Sequence, residues 1–166
     1  KITKKYTNNL YGVGFDAPDN WIREEGSSKH SILKISHPDS VLMFVINVIE
    51  VEKGANKNND INSWTNFDQQ NKKMYQTLVQ LGKGQLDTDI RNYKCEKEYL
   101  LNHKAIKYQY EITQKYPDFE FDVVKTMYQI QKGNINYNFG FDVPAVFYET
   151  NPEYYNSVFN YAFFIE

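Results

Sequence analysis

The sequence is poor in the features that most directly announce a function. It has a single cysteine, Cys95, so no disulfide can form within the chain. No apolar run approaches the roughly 18 residues of a membrane-spanning helix. Lys and Arg number 19 against 21 Asp and Glu, a net charge of −2, which leaves no electrostatic footprint for nucleic acid or an acidic membrane surface. A glycine-rich phosphate loop is absent, because Gly12-Val13-Gly14 enters a strand pattern and not a helix N-terminus. His30, His37 and His103 show neither HxH nor HExxH spacing. No export signal is visible; the chain opens at Lys1, without Met, on a polar KITKKYTNN stretch, and the expectation is that a leader or anchor has been removed.

What is present is alternation. The chain has 166 residues, enough for one domain with its own core, taken as residues 1–166, and 16% of them are aromatic, which favours half-buried strands. In the stretch GVGFDAPDNW, Val13, Phe15 and Ala17 alternate with Gly14 and Asp16. Pro18 cannot donate to a ladder, so the strand ends there, and Pro18-Asp19-Asn20 is turn chemistry. Trp21 and Ile22 then return to apolar surroundings, with Trp21 as a core anchor. Residues 1–9 read as a polar lead that forms a short strand turning at Asn8-Asn9, and residues 23–30 as a loop.

Residues 31–36 and 41–51 form a hairpin about His37-Pro38-Asp39-Ser40. Positions 41–46 are apolar throughout, which fits a strand covered on both faces. After a solvated loop over 52–60, Ile61, Trp64, Phe67, Met74, Leu78 and Leu81 make one stripe of a helix spanning 61–81, with Asp60 as cap and Gly82 as its close. Residues 90–100 and 105–113 alternate as strands about a turn at Leu101-Asn102-His103-Lys104. Residues 119–131 begin with Phe119, Phe121 and Val123 inward and then change phase at Val123-Val124, which predicts a β-bulge. Residues 135–143 set Ile135, Tyr137, Phe139, Phe141 and Val143 against Asn136, Asn138, Gly140 and Asp142. Asn151-Pro152-Glu153 starts a closing helix whose stripe is Tyr155, Val158, Phe159 and Ala162, followed by a packed end at 163–165. The fold class expected is α+β, an antiparallel sheet sandwiched between helices, one on each face.

This order of elements resembles the PsbP-like and Mog1-like family. The element G-F-x-x-P-x-x-W stands here as Gly14-Phe15-Asp16-Ala17-Pro18-Asp19-Asn20-Trp21, and the closing K-G-x-x-Y strand as Lys132-Gly133-Asn134-Ile135-Asn136-Tyr137, before a C-terminal helix ending in an aromatic. Where many relatives have an N-G-x-x-A turn, this chain has Leu101-Asn102-His103-Lys104-Ala105 and lacks the glycine. The resemblance implies an α/β/α sandwich and a mostly non-enzymatic group. Its photosynthetic members assist photosystem II, Mog1 binds a small GTPase, and many bacterial members are attached to the cell surface. No partner-binding residue carries over to a matching motif.

Each candidate site has a plainer reading. Cys95 and His103 suggest a nucleophile pair, but eight residues of extended strand span roughly 26 Å, so they do not meet within one hairpin. His30, His37 and His103 are loop or turn residues without ligand spacing. Asp118, Glu120 and Asp122 suggest a calcium or acid–base site, but the plainer and favoured reading is the wet face of an amphipathic strand. Tyr148, Tyr154 and Tyr161 suggest a partner face.

The expected function is therefore a non-catalytic, extracytoplasmic binding or assembly module that presents a sheet face or a helix–loop groove to a protein partner of unknown identity. It would reach the membrane only through a removed N-terminal anchor. No catalytic, cofactor-binding or metal-binding residue is assigned, and no cofactor is called for. The alternative is a small-ligand or metal-binding protein with its pocket between sheet and helix. A hydrolase built on the histidines ranks last.

Overall fold

The computed structural model describes residues 3–18, 20–24, 28–39, 42–51 and 62–166. In chain order its elements are β1 (Thr3–Asn8), β2 (Val13–Pro18), β3 (Ile22–Glu24), β4 (Ser31–Ser36), β5 (Met43–Glu50), α1 (Phe67–Leu81), a wide π-helical turn (Gly82–Leu86), β6 (Arg91–Leu100), β7 (His103–Lys115), β8 (Glu120–Lys132), β9 (Ile135–Pro144), α2 (Ala145–Thr150), α3 (Pro152–Asn156), a 3₁₀ turn (Ser157–Tyr161) and β10 (Ala162–Phe164). A seven-stranded antiparallel sheet has the order β3-β4-β5-β9-β8-β7-β6, and a three-stranded sheet has the order β1-β2-β10.

The alternation of the strands sets two faces of the large sheet. On one face Phe44, Ile46, Val48, Tyr128, Ile130, Tyr137, Phe139, Phe141 and Val143 are buried. They pack in one cluster with Val13, Phe15 and Ala17 of the small sheet and with Val158, Phe159 and Ala162 of the closing segment. On the other face lie Cys95, Ile106, Tyr108, Met127, Gln129, Asn138 and Asn47, aligned by the strand registers. α1 lies across that second face. Tyr93 donates to Asn71 Oδ1 at 2.8 Å, and Trp64 donates its indole N–H to the Ala105 carbonyl at 2.8 Å.

The stretch around Pro18 behaves as its residue types dictate. Val13, Phe15 and Ala17 are fully buried, β2 ends at Pro18, and the Trp21 amide closes the turn on the Pro18 carbonyl at 3.1 Å. Trp21 is 4% exposed, whereas Ile22 is 52% exposed and does not join the core. The lead pairs with β2 as a strand, and residues 22–24 form β3, which extends the sheet at its edge where a loop was expected.

Several expectations are corrected. The α+β class holds, but the first face is covered by a second sheet together with short helices and not by one helix. The closing helix breaks after Asn156, tightens through the 3₁₀ turn and ends as β10 on β2, because the run Ala162-Phe163-Phe164 suits a strand and finds a free edge there. α1 begins at Phe67, after turns at 63–66, and Gly82 is right-handed, so the chain winds on through the π-helical turn. The proposed cap Asp60 and stripe residue Ile61 lie outside the described residues, as do the loop positions 52–59.

No bulge occurs at Val123-Val124. The β7–β8 and β8–β9 registers run through both residues without a break. Both side chains are buried because both faces of β8 are covered there, so burial and not phase changes. Phe119, expected inward, is 59% exposed at the β7–β8 hairpin tip, stacked on Tyr116. At the β6–β7 turn, where glycine is missing, Leu101 and Asn102 both take the left-handed conformation, with φ of 52° and 62°.

Candidate functional site

Two concave features stand out, on opposite faces of the large sheet. The first is an aromatic cleft of about 210 Å³ where α2 and α3 meet the turn between β4 and β5. Pro144 stops β9 and Ala145 opens α2 at once, which throws Phe147 outward beside the cleft. Asn151 caps α3 by accepting the Tyr154 amide at 3.3 Å. The floor is rigid: Trp21 packs edge-on against the His37 ring at 5.5 Å and against Tyr161 at 6.0 Å. Phe147 and Tyr154, which line it, remain 45% and 50% exposed.

The second is a groove beside α1 on the other face. Two cavities of about 310 and 300 Å³ meet at Met74 and Tyr108, which line both. Beneath them runs a transverse row of neutral polar side chains. The registers place Ser31 opposite Asn47, Asn47 opposite Asn138, and Asn138 opposite Gln129. Ser31 Oγ donates to Asn47 Oδ1 at 2.7 Å, and Tyr108 donates to Gln129 Oε1 at 3.4 Å. Asn138, in the middle, is 8% exposed, and its Oδ1 has no partner among the described residues; nor has Asn136 Oδ1. At one end Lys125 and Asp142 pair at 2.8 Å. Burial, and then the Asp142 charge, push the Tyr110 hydroxyl up to about 12, so it stays a neutral donor.

The residues singled out from sequence are scattered. Cys95 faces α1 opposite Tyr108, and burial pushes its thiol up. His103 lies at the far turn of the same hairpin, its ring 4.8 Å from that of Phe164, and burial followed by Lys132 lowers its pKa. His37 is built into the cleft, and His30 sits exposed before β4. The described residues contain no cluster of three His, Cys, Asp or Glu able to hold a metal.

Asp118 is exposed in its turn, Glu120 borders an open polar depression, and Asp122 accepts from Arg91 at 2.9 Å and from Thr113 at 2.8 Å. Of the tyrosines, Tyr161 is packed on Phe15, and Tyr148 is tied to Gln109 at 2.9 Å and to Asn156 at 3.2 Å. Only Tyr154 of the three is free to meet a partner. Sequence reasoning missed Phe147 and the amide row. Phe147 lay in an unassigned link, and Asn136 and Asn138 read as an ordinary wet face.

The fold is that of the PsbP and Mog1 proteins. The chain aligns with the solution structure of cyanobacterial PsbP (CyanoP) from Synechocystis over 98% of its own length and 92% of that protein's, with a TM-score of 0.61 and 12% identity. It aligns with the Ran-binding protein Mog1p of Saccharomyces cerevisiae over 99% and 96%, with a TM-score of 0.52 and 10% identity. LpqN of Mycobacterium tuberculosis, involved in cell envelope biogenesis, aligns over 99% and 91%, with a TM-score of 0.50 and 12% identity. No protein-family model and no curated protein sequence matches the chain. At these identities the likeness is one of fold.

Proposed function

We propose that this protein is a non-catalytic binding module of the extracytoplasmic space and that it docks a protein partner in the aromatic cleft between α2–α3 and the β4–β5 turn. The observation that carries the reading is the exposure of Phe147 and Tyr154 on a cleft whose floor is buried Trp21. Large apolar and aromatic side chains on a rigid support lose little entropy on binding and supply most of the energy of protein interfaces. The Ran-binding role of Mog1p and the cell-envelope role of LpqN belong to those proteins, and they support the class of function proposed here. The extracytoplasmic placement rests on the family resemblance.

The test is site-specific photocrosslinking in the native cell, with a benzophenone amino acid at position 147. One discrete protein adduct is expected, lost in the Tyr154→Asp variant and retained in Tyr116→Asp, whose site lies at the distant β7–β8 hairpin. An adduct indifferent to Tyr154→Asp, or none at all, overturns the reading. Fractionation of the full-length gene product checks the compartment, and a cytosolic product refutes the placement alone.

A further inference from the structure

The amide row under α1 has no part in the partner reading, and it sits on the opposite face of the sheet. Interiors rarely leave an amide unpaired, because a buried donor or acceptor without a partner loses its hydrogen bonds to water and gains nothing in return. Asn138 is more than nine-tenths buried and lines the 310 Å³ cavity, and its side-chain Oδ1 has no hydrogen-bond partner among the described residues. Its cross-strand neighbours show that the space is not simply hostile to polar groups: Asn47 is engaged by Ser31 and Gln129 by Tyr108.

The chemistry of the row narrows what it can hold. Ser31, Asn47, Asn138 and Gln129 carry no charge, so they match a neutral ligand. A carboxamide offers one acceptor and a pair of donors in a single plane. Its two-point complement is a group with donor and acceptor side by side, a second carboxamide or the edge of a lactam. The walls are thioethers. Met43, Met74 and Met127 line the cavity with Tyr108, and methionine sulfur makes favourable contacts with flat rings. The volume is at the lower end of small-molecule sites, which suits one ring or two fused rings.

We infer that the groove between α1 and the sheet binds a small, neutral, planar molecule through a carboxamide or lactam edge that pairs with Asn138, its ring held among Met43, Met74 and Met127. Binding gives Asn138 the hydrogen bonds it lacks. This site is independent of the aromatic cleft, so neither result decides the other.

The experiment is a protein-observed NMR titration with four probes. Nicotinamide and uracil carry the edge on a flat ring, nicotinate replaces the amide with a charge, and cyclohexanecarboxamide keeps the amide without the flat ring. Millimolar or tighter binding of nicotinamide or uracil is expected, shifting resonances of Asn138 and the three methionine methyls. Nicotinate and cyclohexanecarboxamide should bind about tenfold more weakly or less.

Asn138→Leu should weaken the binding probe about tenfold while leaving the melting temperature equal or higher, since it removes an unpaired buried amide. Met74→Ala, on the helix wall, should weaken it too. No groove shift with nicotinamide or uracil, equal binding of nicotinate, or unchanged binding in Asn138→Leu each overturns the inference. A fall in melting temperature in Asn138→Leu overturns it as well, because it would show that the amide already has structural partners.

Discussion

The Phe163 ring occupies the space that a side chain on Gly14, its cross-strand partner, would need. A Cβ at position 14 would run into that ring and would also stand 2.7 Å from the Tyr6 backbone carbonyl. The glycine is thus required by close approach and not by backbone conformation. Gly14→Ala should destabilise by about 1–3 kcal/mol in urea unfolding. Phe163→Ala should relieve the part due to the ring and leave the part due to Tyr6, a coupling that a double-mutant cycle resolves. Gly140, which opens the similar stretch Gly140-Phe141-Asp142-Val143-Pro144, has the Thr126 carbonyl at 3.4 Å, so Gly140→Ala should cost less than about 1 kcal/mol.

Trp21 and Ile22 are neighbours with opposite fates. Trp21 packs on Phe15, His37 and Tyr161 and is 4% exposed, against 52% for Ile22. Trp21→Ala should cost about 3–5 kcal/mol. Ile22→Ala should stay within about 0.5 kcal/mol. Chemical denaturation of both variants checks the pair, and equal losses would mean that the anchor is misassigned.

Asp122 belongs to a surface network with Arg91 and Thr113. The Arg91 and Asp122 side chains are 36% and 52% exposed, so solvent screens the pair. Asp122→Asn should lose no more than about 1 kcal/mol, less at high salt. Calcium should leave the melting temperature of the native chain unchanged, whereas a calcium-dependent rise abolished by Asp122→Asn would restore the acid ladder as a metal site.

His103 gives the folding equilibrium a pH slope. Burial first, and Lys132 second, lower its pKa below the ordinary 6.5. The unfolded chain therefore binds its proton before the folded one does, and stability rises with pH across that interval. Above 6.5 the effect is absent; as pH falls through 6.5 the folded state loses ground until its own lower pKa is reached. His103→Gln should flatten the stability profile as pH falls below the ordinary 6.5, measured by urea unfolding at a series of pH values.

Local pattern was enough for the strand ends and for most inward faces. The prolines at 18 and 144 stop β2 and β9, as they must without an N–H to donate. Tyr137, Phe139, Phe141 and Val143 face the core as their alternation requires. The errors come where a second layer intervenes. Val123 and Val124 looked like a phase slip because a period-two pattern assumes one wet face, and here both are covered. Ala162-Phe163-Phe164 looked like the end of a helix because nothing local records that β2 has an edge 150 or so residues upstream in need of a partner.

The site follows the same division. Asn136 and Asn138 alternate with aromatics, so by sequence they belong to a solvated face. Only α1, arriving from residues 67–81, turns that face into a roofed groove. Phe147 is one apolar residue in a short link until α2 lifts it beside Trp21. By itself the sequence determined the fold class, the order of the strands along the chain and the role of Trp21 as an anchor, because backbone propensity and side-chain period act over a few residues. The tertiary structure alone decided that β10 closes the small sheet, which polar side chains are buried, and where aromatics stay exposed. Those outcomes depend on which distant surfaces come together, and no short-range preference encodes them.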